Sequence, residues 1–342
     1  MTAYEEVCDR LREEPRRWLI TGVAGFIGSH LLEALLGLGQ SVVGIDDFAT
    51  GSPRNLEDVR SRIGASAWES FTFHRGSVAD MGCLREVTSG IDFVLHQAGF
   101  VSVPLSVEDP IACHETNVTG TLNLLVAARD HGVKCLVYAS SSAVYGDEAT
   151  MPNVETKIGE PLSPYGASKL MSELYARLFF QHYGFASIGL RYFNVFGPRQ
   201  NPAGGYAAVI PQWITTLLRG DECRIHGDGT ATRDFCHVAD VVQANLLAAT
   251  TESRGAPGEI LNVARGGSTT LTELYNMISM KVAALVGAET APVKHGPPRA
   301  GDILHSAADI SKIRSVFGYK PMVSVADGLE ETVRWYAKQV GG

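Results

Sequence analysis

The chemistry most readily read from this chain rests on a tyrosine followed four residues later by a lysine, in Ser163-Pro164-Tyr165-Gly166-Ala167-Ser168-Lys169. On a helix that spacing puts Tyr165 and Lys169 on one face. A phenol ionises at about pH 10, too high for a good base at neutral pH. An ammonium group beside it favours the phenolate and draws the pKa toward the working range. Ser163 suits an N-cap and Pro164 the first helical turn, so a helix is expected to start here. Taken alone, such a pair is more often a surface tyrosine and lysine that merely share a face. The surrounding chain decides between the two.

The elements that would position this pair begin near the N-terminus, after a charged and polar stretch whose apolar residues Tyr4, Val7 and Leu11 suggest a helix. Arg17-Trp18-Leu19-Ile20 reads as a short strand running into Thr21-Gly22-Val23-Ala24-Gly25-Phe26-Ile27-Gly28. A helix follows, with Ile27, Leu31, Leu32, Leu35 and Leu36 at helical spacing and a stop at Gly37 and Gly39. Residues 41–45 form the next strand, which ends on Asp46, 18 residues after Gly28. Strand, glycine turn, helix and strand-end acid make a dinucleotide-binding βαβ unit. Gly22, Gly25 and Gly28 let the backbone approach a pyrophosphate at the positive helix end, beside Phe26 and Ile27. Asp46 would accept hydrogen bonds from ribose hydroxyls and repel a 2′-phosphate, which selects NAD over NADP.

Strands and helices go on alternating. Residues 71–73 lead to Arg75-Gly76-Ser77, residues 93–95 to His96-Gln97-Ala98-Gly99, and residues 136–138 to Ala139-Ser140-Ser141-Ser142; residues 117–128 read as a buried helix. This is the pattern of an α/β fold with a doubly wound parallel sheet, and its turns converge on one crevice beyond the strand ends. At 342 residues the chain exceeds one typical core, so a smaller C-terminal α/β domain is expected after it. Pro198, Pro202 and Gly204-Gly205 mark the junction, dividing the chain into 1–193 and 194–342. Residues 238–264 are expected to return to the large sheet through a helix at 241–248 and a strand at 260–263.

Composition narrows the classes of function. A net charge of −8 without a Lys/Arg run argues against a nucleic-acid partner. The six cysteines and ten histidines show no metal-ligand spacing, so no metal site is expected. Scattered thiols, no secretory signal and no apolar run long enough for a bilayer point to a cytoplasmic protein without a membrane partner.

Together the glycine turn, the Ala98-Gly99 turn, Asn117, the serine run with Tyr145-Gly146, and Tyr165/Lys169 resemble an extended short-chain dehydrogenase/reductase. Arg191-Tyr192-Phe193-Asn194-Val195-Phe196-Gly197 narrows the resemblance to nucleotide-sugar epimerases and dehydratases. It extends from Trp18 to Trp335 and is closest to the bacterial UDP-N-acetylglucosamine 4-epimerases of polysaccharide-antigen pathways. Residues 18–29, Tyr206-Ala-Ala-Val-Ile-Pro211, Arg233-Asp-Phe-Cys236, and Gly301-Asp302 with His305-Ser306 carry that match.

The resemblance implies a set of roles. Tyr165 takes the proton of the sugar 4-hydroxyl while C4 gives its hydride to resident NAD. Lys169 lowers the Tyr165 pKa and binds the nicotinamide ribose, and Ser141 shares a short hydrogen bond with the 4-oxygen. The 4-keto sugar then rotates and takes hydride back on its other face. NAD would be held by Gly22, Gly25, Phe26, Ile27, Gly28, Asp46, Asp47, Ser77, Val78, Gln97, Ala98, Asn117, Tyr165, Lys169 and Tyr192. A UDP-sugar would be held by Ser102, Ser141, Ser142, Asn194, Val209, Arg233, Arg299, Asp302 and Ser306, with the two arginines on the diphosphate. Residues 194–342 then become the UDP-sugar-binding domain, and a homodimer is implied. Asp234 receives no role beyond a possible pairing with a neighbouring base.

Departures from the family pattern bear on chemistry and specificity. Dehydratases and decarboxylases carry an acid directly after the catalytic Ser/Thr, whereas Ser142 and Ala143 follow Ser141 here, which favours epimerisation. Val101 and Leu105 replace the Gly and Arg of the nearest relatives, and Ser77 the Asp that contacts adenine. Ser306 is small where epimerases confined to non-acetylated hexoses carry Tyr, so UDP-GlcNAc and UDP-GalNAc are the expected pair. A UDP-glucuronate 4-epimerase or decarboxylase is the alternative. A non-catalytic NAD-binding subunit on the same fold is a third reading, opposed by the intact Ser141/Tyr165/Lys169 set.

Overall fold

The computed structural model describes residues 1–202, 208–250, 258–298 and 304–340. Helix α1 (Ala3–Glu13) precedes β1 (Arg17–Thr21), α2 (Phe26–Gly37), β2 (Ser41–Asp46), α3 (Pro53–Trp68), β3 (Phe71–Arg75), α4 (Met81–Val87) and β4 (Phe93–His96). Short helices α5 (Val103–Glu108) and α6 (Pro110–His114) pass through a π turn at 115–119 into α7 (Gly120–Asp130). Strand β5 (Cys135–Ser141), a 3₁₀ turn at 142–145, α8 (Pro164–Tyr183), β6 (Ser187–Tyr192) and β7 (Val195–Phe196) follow. Next come α9 (Val209–Leu218), β8 (Arg224–His226), β9 (Thr232–Arg233), β10 (Cys236–His237), α10 (Val238–Ala249) and β11 (Ile260–Val263). The chain closes with β12 (Thr269–Thr270), α11 (Leu271–Val286), β13 (Lys294–Gly296), β14 (His305–Ser306), α12 (Ser311–Phe317) and α13 (Val325–Val340).

Seven strands form one parallel sheet in the order β11-β6-β5-β4-β1-β2-β3. A parallel sheet must be covered on both faces, so its inner strands read as continuous apolar runs. On β1, Trp18, Leu19 and Ile20 are all fully buried. One face packs on Leu31 and Leu35 of α2 and Val241 and Leu246 of α10, the other on Leu84, Leu124 and Phe179. A separate core joins Trp213 and Ile214 of α9, Leu274 and Ile278 of α11, and Leu329 and Val333 of α13. The fold is thus Rossmann-like α/β with a smaller α/β layer built from the C-terminal elements.

Local chemistry fixes the elements nearest the site. The N-terminal stretch is helical because Thr2 and Glu5 form a reciprocal capping box and Val7 and Leu11 reach the core. The stretch after Gly99 reads as a loop in sequence, yet it holds α5, started by Ser102 Oγ accepting from the Leu105 N–H (3.3 Å) and by a proline in its first turn. Helix α8 begins as its sequence implies: Ser163 Oγ accepts from the Gly166 N–H (3.1 Å), and Gly184 closes the helix in the left-handed region.

Candidate active site

Strand order reverses between β1 and β4, and the crevice opens at their carboxyl ends. The chain passes there in a tight turn with Gly22 at φ +68°, where a Cβ would lie 2.7 Å from Ala98 N. A Cβ on Gly28 would overlap the Gly22 carbonyl, so turn and helix meet backbone to backbone. Gly25 caps α2 without any side-chain hydrogen bond, leaving the first N–H groups of the helix directed at the crevice. Together these features suit the pyrophosphate of a dinucleotide. Phe26 and Ile27 form the first turn of the helix, half-buried.

Asp46 ends β2 nearly buried and accepts from the Ala24 N–H (2.9 Å) and the Phe48 N–H (2.8 Å), one on each oxygen. It therefore ties the glycine turn to the loop after β2, and burial raises its carboxyl above the ordinary value. Each oxygen keeps a second lone pair for a ribose hydroxyl. Asp47 is exposed and accepts from the Ala49 N–H (2.9 Å). Ser77 shapes the turn after β3 by accepting from the Ala79 N–H (3.3 Å), and Val78 packs where a Cβ on Gly120 would collide with it.

Three expected cofactor residues are bound to one another or to the frame. Tyr192 donates to Gln97 Oε1 (3.1 Å), Gln97 to Asn245 Oδ1 (3.1 Å), and Asn245 back to the Tyr192 hydroxyl (2.9 Å). Asn117, in the π turn, accepts from the Phe100 N–H (2.7 Å) and donates to Phe100 O (3.0 Å) and Ser168 Oγ (2.8 Å). It thereby staples the loop after β4 to α8. Below it runs a chain of defined polarity. The Ala98 N–H donates to Thr21 Oγ1 (3.1 Å), whose own hydrogen goes to His96 Nδ1 (2.7 Å). The imidazole then donates from Nε2 to Thr121 Oγ1 (3.0 Å), and Thr121 to Asn117 O (2.5 Å). Burial holds His96 down to about 3, so it stays neutral as this chain requires.

Ser141, Tyr165 and Lys169 do converge. Ser141 ends β5, accepts from the Ala143 N–H (3.1 Å) and lies near enough to the Tyr165 phenol to influence its ionisation. Lys169 is buried, with Nζ 5.9 Å from the Tyr165 ring centroid and donating to Ala139 O (3.0 Å). Gly99 makes room for it, since a Cβ there would lie 3.2 Å from Nζ. The expected depression of the phenol by Lys169 is not what this geometry produces. Burial raises Tyr165, the Ser141 hydroxyl opposes that, and nearby Cys113 adds to the rise. Lys169 is itself pulled down to about 8 by burial. Sequence supplies the two groups but not the desolvation, and here desolvation dominates.

Beneath Ser141, Arg191 donates to both oxygens of Glu173 (2.8 Å each), and Ser140 Oγ donates to Glu173 Oε1 (2.5 Å). Neither this ion pair nor the role of Ser106 is legible in the sequence. Ser106 is fully buried and accepts from the Tyr165 N–H (3.1 Å), so α5 holds the first turn of α8. A serine in an apolar loop carries no periodic signal that would have revealed it.

The remaining expected substrate residues lie mostly on the second layer. Strand β14 pairs with β9 so that Ser306 stands opposite Arg233 in register. Arg233 Nη1 donates to Thr232 O (2.8 Å) and Leu304 O (3.2 Å). Asn194, at φ +35°, donates to Asp234 O (3.1 Å), and Val209 starts α9 half-buried. Ser142 opens the 3₁₀ turn and Ser102 caps α5. Arg299 and Asp302 lie outside the described residues. The partner of Asp234 is backbone and not a basic side chain: its carboxylate accepts from the N–H groups of Arg265 (3.1 Å), Gly266 (2.9 Å) and Gly267 (3.2 Å). All six cysteines are free thiols, and no helix among the described residues is long and apolar enough to cross a membrane.

Known proteins align with nearly the whole chain. A UDP-glucose 4-epimerase of Mycolicibacterium smegmatis is 37% identical over 327 residues, covering 94% of this chain and 98% of its own. A solved UDP-N-acetylglucosamine 4-epimerase from Methanobrevibacter ruminantium, in complex with UDP-N-acetylmuramic acid, is 36% identical with a TM-score of 0.86, covering 95% and 99%. A dTDP-glucose 4,6-dehydratase from Streptomyces venezuelae, with NAD bound, is 34% identical with a TM-score of 0.84, covering 95% and 98%. The profile of the NAD dependent epimerase/dehydratase family matches residues 18–264, which take in nearly all of the large sheet, the glycine turn and the Ser141/Tyr165/Lys169 set. This chain therefore belongs to the NAD dependent epimerase/dehydratase family, as an enzyme that works with NAD.

Proposed function

We propose that this enzyme is a UDP-sugar 4-epimerase and that its preferred pair is UDP-GlcNAc and UDP-GalNAc. The observation that carries the reading is the meeting of Ser141, Tyr165 and Lys169 without an acid. Ser142 and Ala143 follow Ser141, at the place where dehydratases carry an acid. Abstraction of a C5 proton, as in a dehydratase, needs such a group; oxidation and reduction at C4 do not. The epimerase names of the mycobacterial and methanogen relatives support the same choice.

NAD, when bound, supplies a hydride acceptor that returns the same hydride, so the reaction is redox-neutral. We assign its binding to Gly22, Gly25, Phe26, Ile27, Gly28, Asp46, Asp47, Ser77, Val78, Gln97, Ala98, Asn117 and Tyr192, with Tyr165 and Lys169 at the nicotinamide ribose. Tyr165 holds or releases the proton of the 4-hydroxyl, and the Ser141 hydroxyl orients the same oxygen. Buried Lys169 brings its ammonium group to 5.9 Å from the centre of the Tyr165 ring. Ser102, Ser142, Asn194, Val209, Arg233, Arg299, Asp302 and Ser306 are assigned to the UDP-sugar. The division into 1–193 with 238–264, and 194–342, follows from these assignments. Preference for an acetamido sugar rests on Ser306, whose small side chain leaves room at C2. UDP-glucuronate is the second substrate reading, and a relative named UDP-glucuronate 4-epimerase, from Thermodesulfobacterium geofontis and 32% identical over 325 residues, supports it.

We further assign a homodimer. On α8, Met171, Leu174, Tyr175 and Leu178 form one apolar face at helical spacing, and each is more than a third exposed. A second copy of the chain would cover them. The free thiols suit a reducing cytoplasm.

The reading is tested by incubating the purified protein, without added NAD, with UDP-GlcNAc, UDP-glucose and UDP-glucuronate separately. Formation of the C4 epimer, fastest with UDP-GlcNAc, is expected. A 4-keto-6-deoxy product, or no product without added NAD(P), would overturn it.

A further inference from the structure

Below the sugar site, at the end of the edge strand β11, lies a buried carboxamide that the assigned roles leave unexplained. Asn262 is fully buried, and Tyr145, at the end of the 3₁₀ turn that Ser141 caps, is nearly so. The Tyr145 hydroxyl donates to Asn262 Oδ1 (2.6 Å). The Asn262 amide donates to Asn153 O (3.0 Å) and Asp309 O (3.1 Å). These two segments also hold each other: the Asn153 N–H donates to Ala307 O (2.8 Å) and the Asp309 N–H to Asn153 O (3.0 Å). The Asn262 N–H donates to Glu155 Oε1 (2.9 Å), and the Arg191 guanidinium lies 4.8 Å above the Tyr145 ring.

One end of this chain is the turn that carries Ser141 and Ser142; the other is the stretch directly after Ser306. We infer that Tyr145 and Asn262 are positioning residues that hold the two walls of the sugar site at a fixed separation. The inference rests on the proposed reading that Ser141 and Ser306 face the same sugar. A join needed only for stability could be apolar, without the penalty of burying polar groups. Directional hydrogen bonds from one carboxamide to three segments fix a distance as well as a contact. The chemistry needs that distance. In the half-reaction C4 loses a hydride to NAD and the 4-hydroxyl loses its proton to Tyr165. The keto sugar must then turn over without leaving, and a site with separated walls lets it escape, leaving reduced nicotinamide in the protein.

The test compares the wild-type holoenzyme with Tyr145→Phe in steady-state turnover of UDP-GlcNAc, following the reduced-nicotinamide absorbance and recording thermal melts. One lost hydrogen bond shifts the equilibrium it controls by roughly three- to tenfold. KM should rise by about that factor, kcat should change less, and reduced nicotinamide should build up during turnover while the wild type stays flat. A lower melting temperature with wild-type KM and no build-up would overturn the inference and leave a merely structural bond. If Tyr145→Phe does not fold, Asn262→Ser breaks the same chain from its other end, with water able to fill the gap. Wild-type protein inactive on every UDP-sugar would sink the function reading itself, and that arm involves no variant.

Discussion

Glu173→Gln should be among the most damaging single changes outside the reacting groups. Arg191 and Glu173 are 2% and 3% exposed and meet through two parallel 2.8 Å hydrogen bonds. Ser140 spends its hydroxyl on the same carboxylate, and Arg191 Nη1 reaches Glu155 O (3.2 Å). A glutamine presents one acceptor where the fork needs two, and turns an NH₂ group toward a guanidinium that stays charged. Removing one partner of a buried pair costs about 3–5 kcal/mol, a large share of the roughly 5–15 kcal/mol that stabilises a domain. Replacing both partners by apolar groups of similar volume is often near neutral. Arg191→Met with Glu173→Leu should therefore recover about 2 kcal/mol or more of the loss, the Ser140 hydroxyl remaining unpaired. Equilibrium urea unfolding at saturating NAD, followed by circular dichroism and fluorescence, measures both. A cost below about 1 kcal/mol for Glu173→Gln, or a double variant as weak as the single one, would refute the reasoning.

Tyr165→Phe should fold and retain NAD but lose about 10²–10⁴ in kcat, the usual share of a general acid–base group; activity within a few-fold of wild type would point to another base. Gly28→Ala should purify without nicotinamide, because the new Cβ meets only backbone of the glycine turn, which cannot give way. Nucleotide released by denaturation and measured chromatographically checks it. Asp240 is fully buried, accepts from the Met322 N–H (2.6 Å) and has its carboxyl raised to about 6 by burial. An acid with a folded pKa above its unfolded value binds more protons when folded, so stability falls as pH rises through that window, from about 4 to 6. Asp240→Asn should accordingly stabilise by about 3 kcal/mol at neutral pH and above, with the gain vanishing near pH 4 in denaturant titrations. Ser306→Tyr should depress kcat/KM for acetylated UDP-sugars much more than for UDP-glucose and UDP-galactose; an unchanged ratio would remove Ser306 from the specificity wall.

Much of the large sheet is legible in the sequence because its strands are short apolar runs and its helices keep a 3.6-residue period. The unit from β1 to Asp46 is the clearest case, since the close approach of Gly22 to Ala98 and of Gly28 to Gly22 demands glycine. The second layer is harder to read. Strands β9 and β14 have two residues each, too few for any periodicity, yet their register sets Ser306 against Arg233. Helix α5 escaped because Val103-Pro104-Leu105 looks like loop until Ser102 is seen to cap it. Asp234 shows the limit of residue type: the same carboxylate could serve a base or a backbone loop, and the loop at 265–267 takes it. The Tyr165–Lys169 pair shows the other limit, because spacing gives proximity while burial gives the direction of the pKa.

The claim that one hydride leaves C4 and returns to it can be measured directly. A UDP-GlcNAc deuterated at both C4 and C5 is incubated with the protein in ordinary water, without added NAD, until the epimers equilibrate. The account predicts that the C4 deuterium is retained in UDP-GalNAc and in recovered substrate, with no solvent hydrogen entering at C4 or C5. Loss of the label to solvent, or exchange at C5, would contradict it.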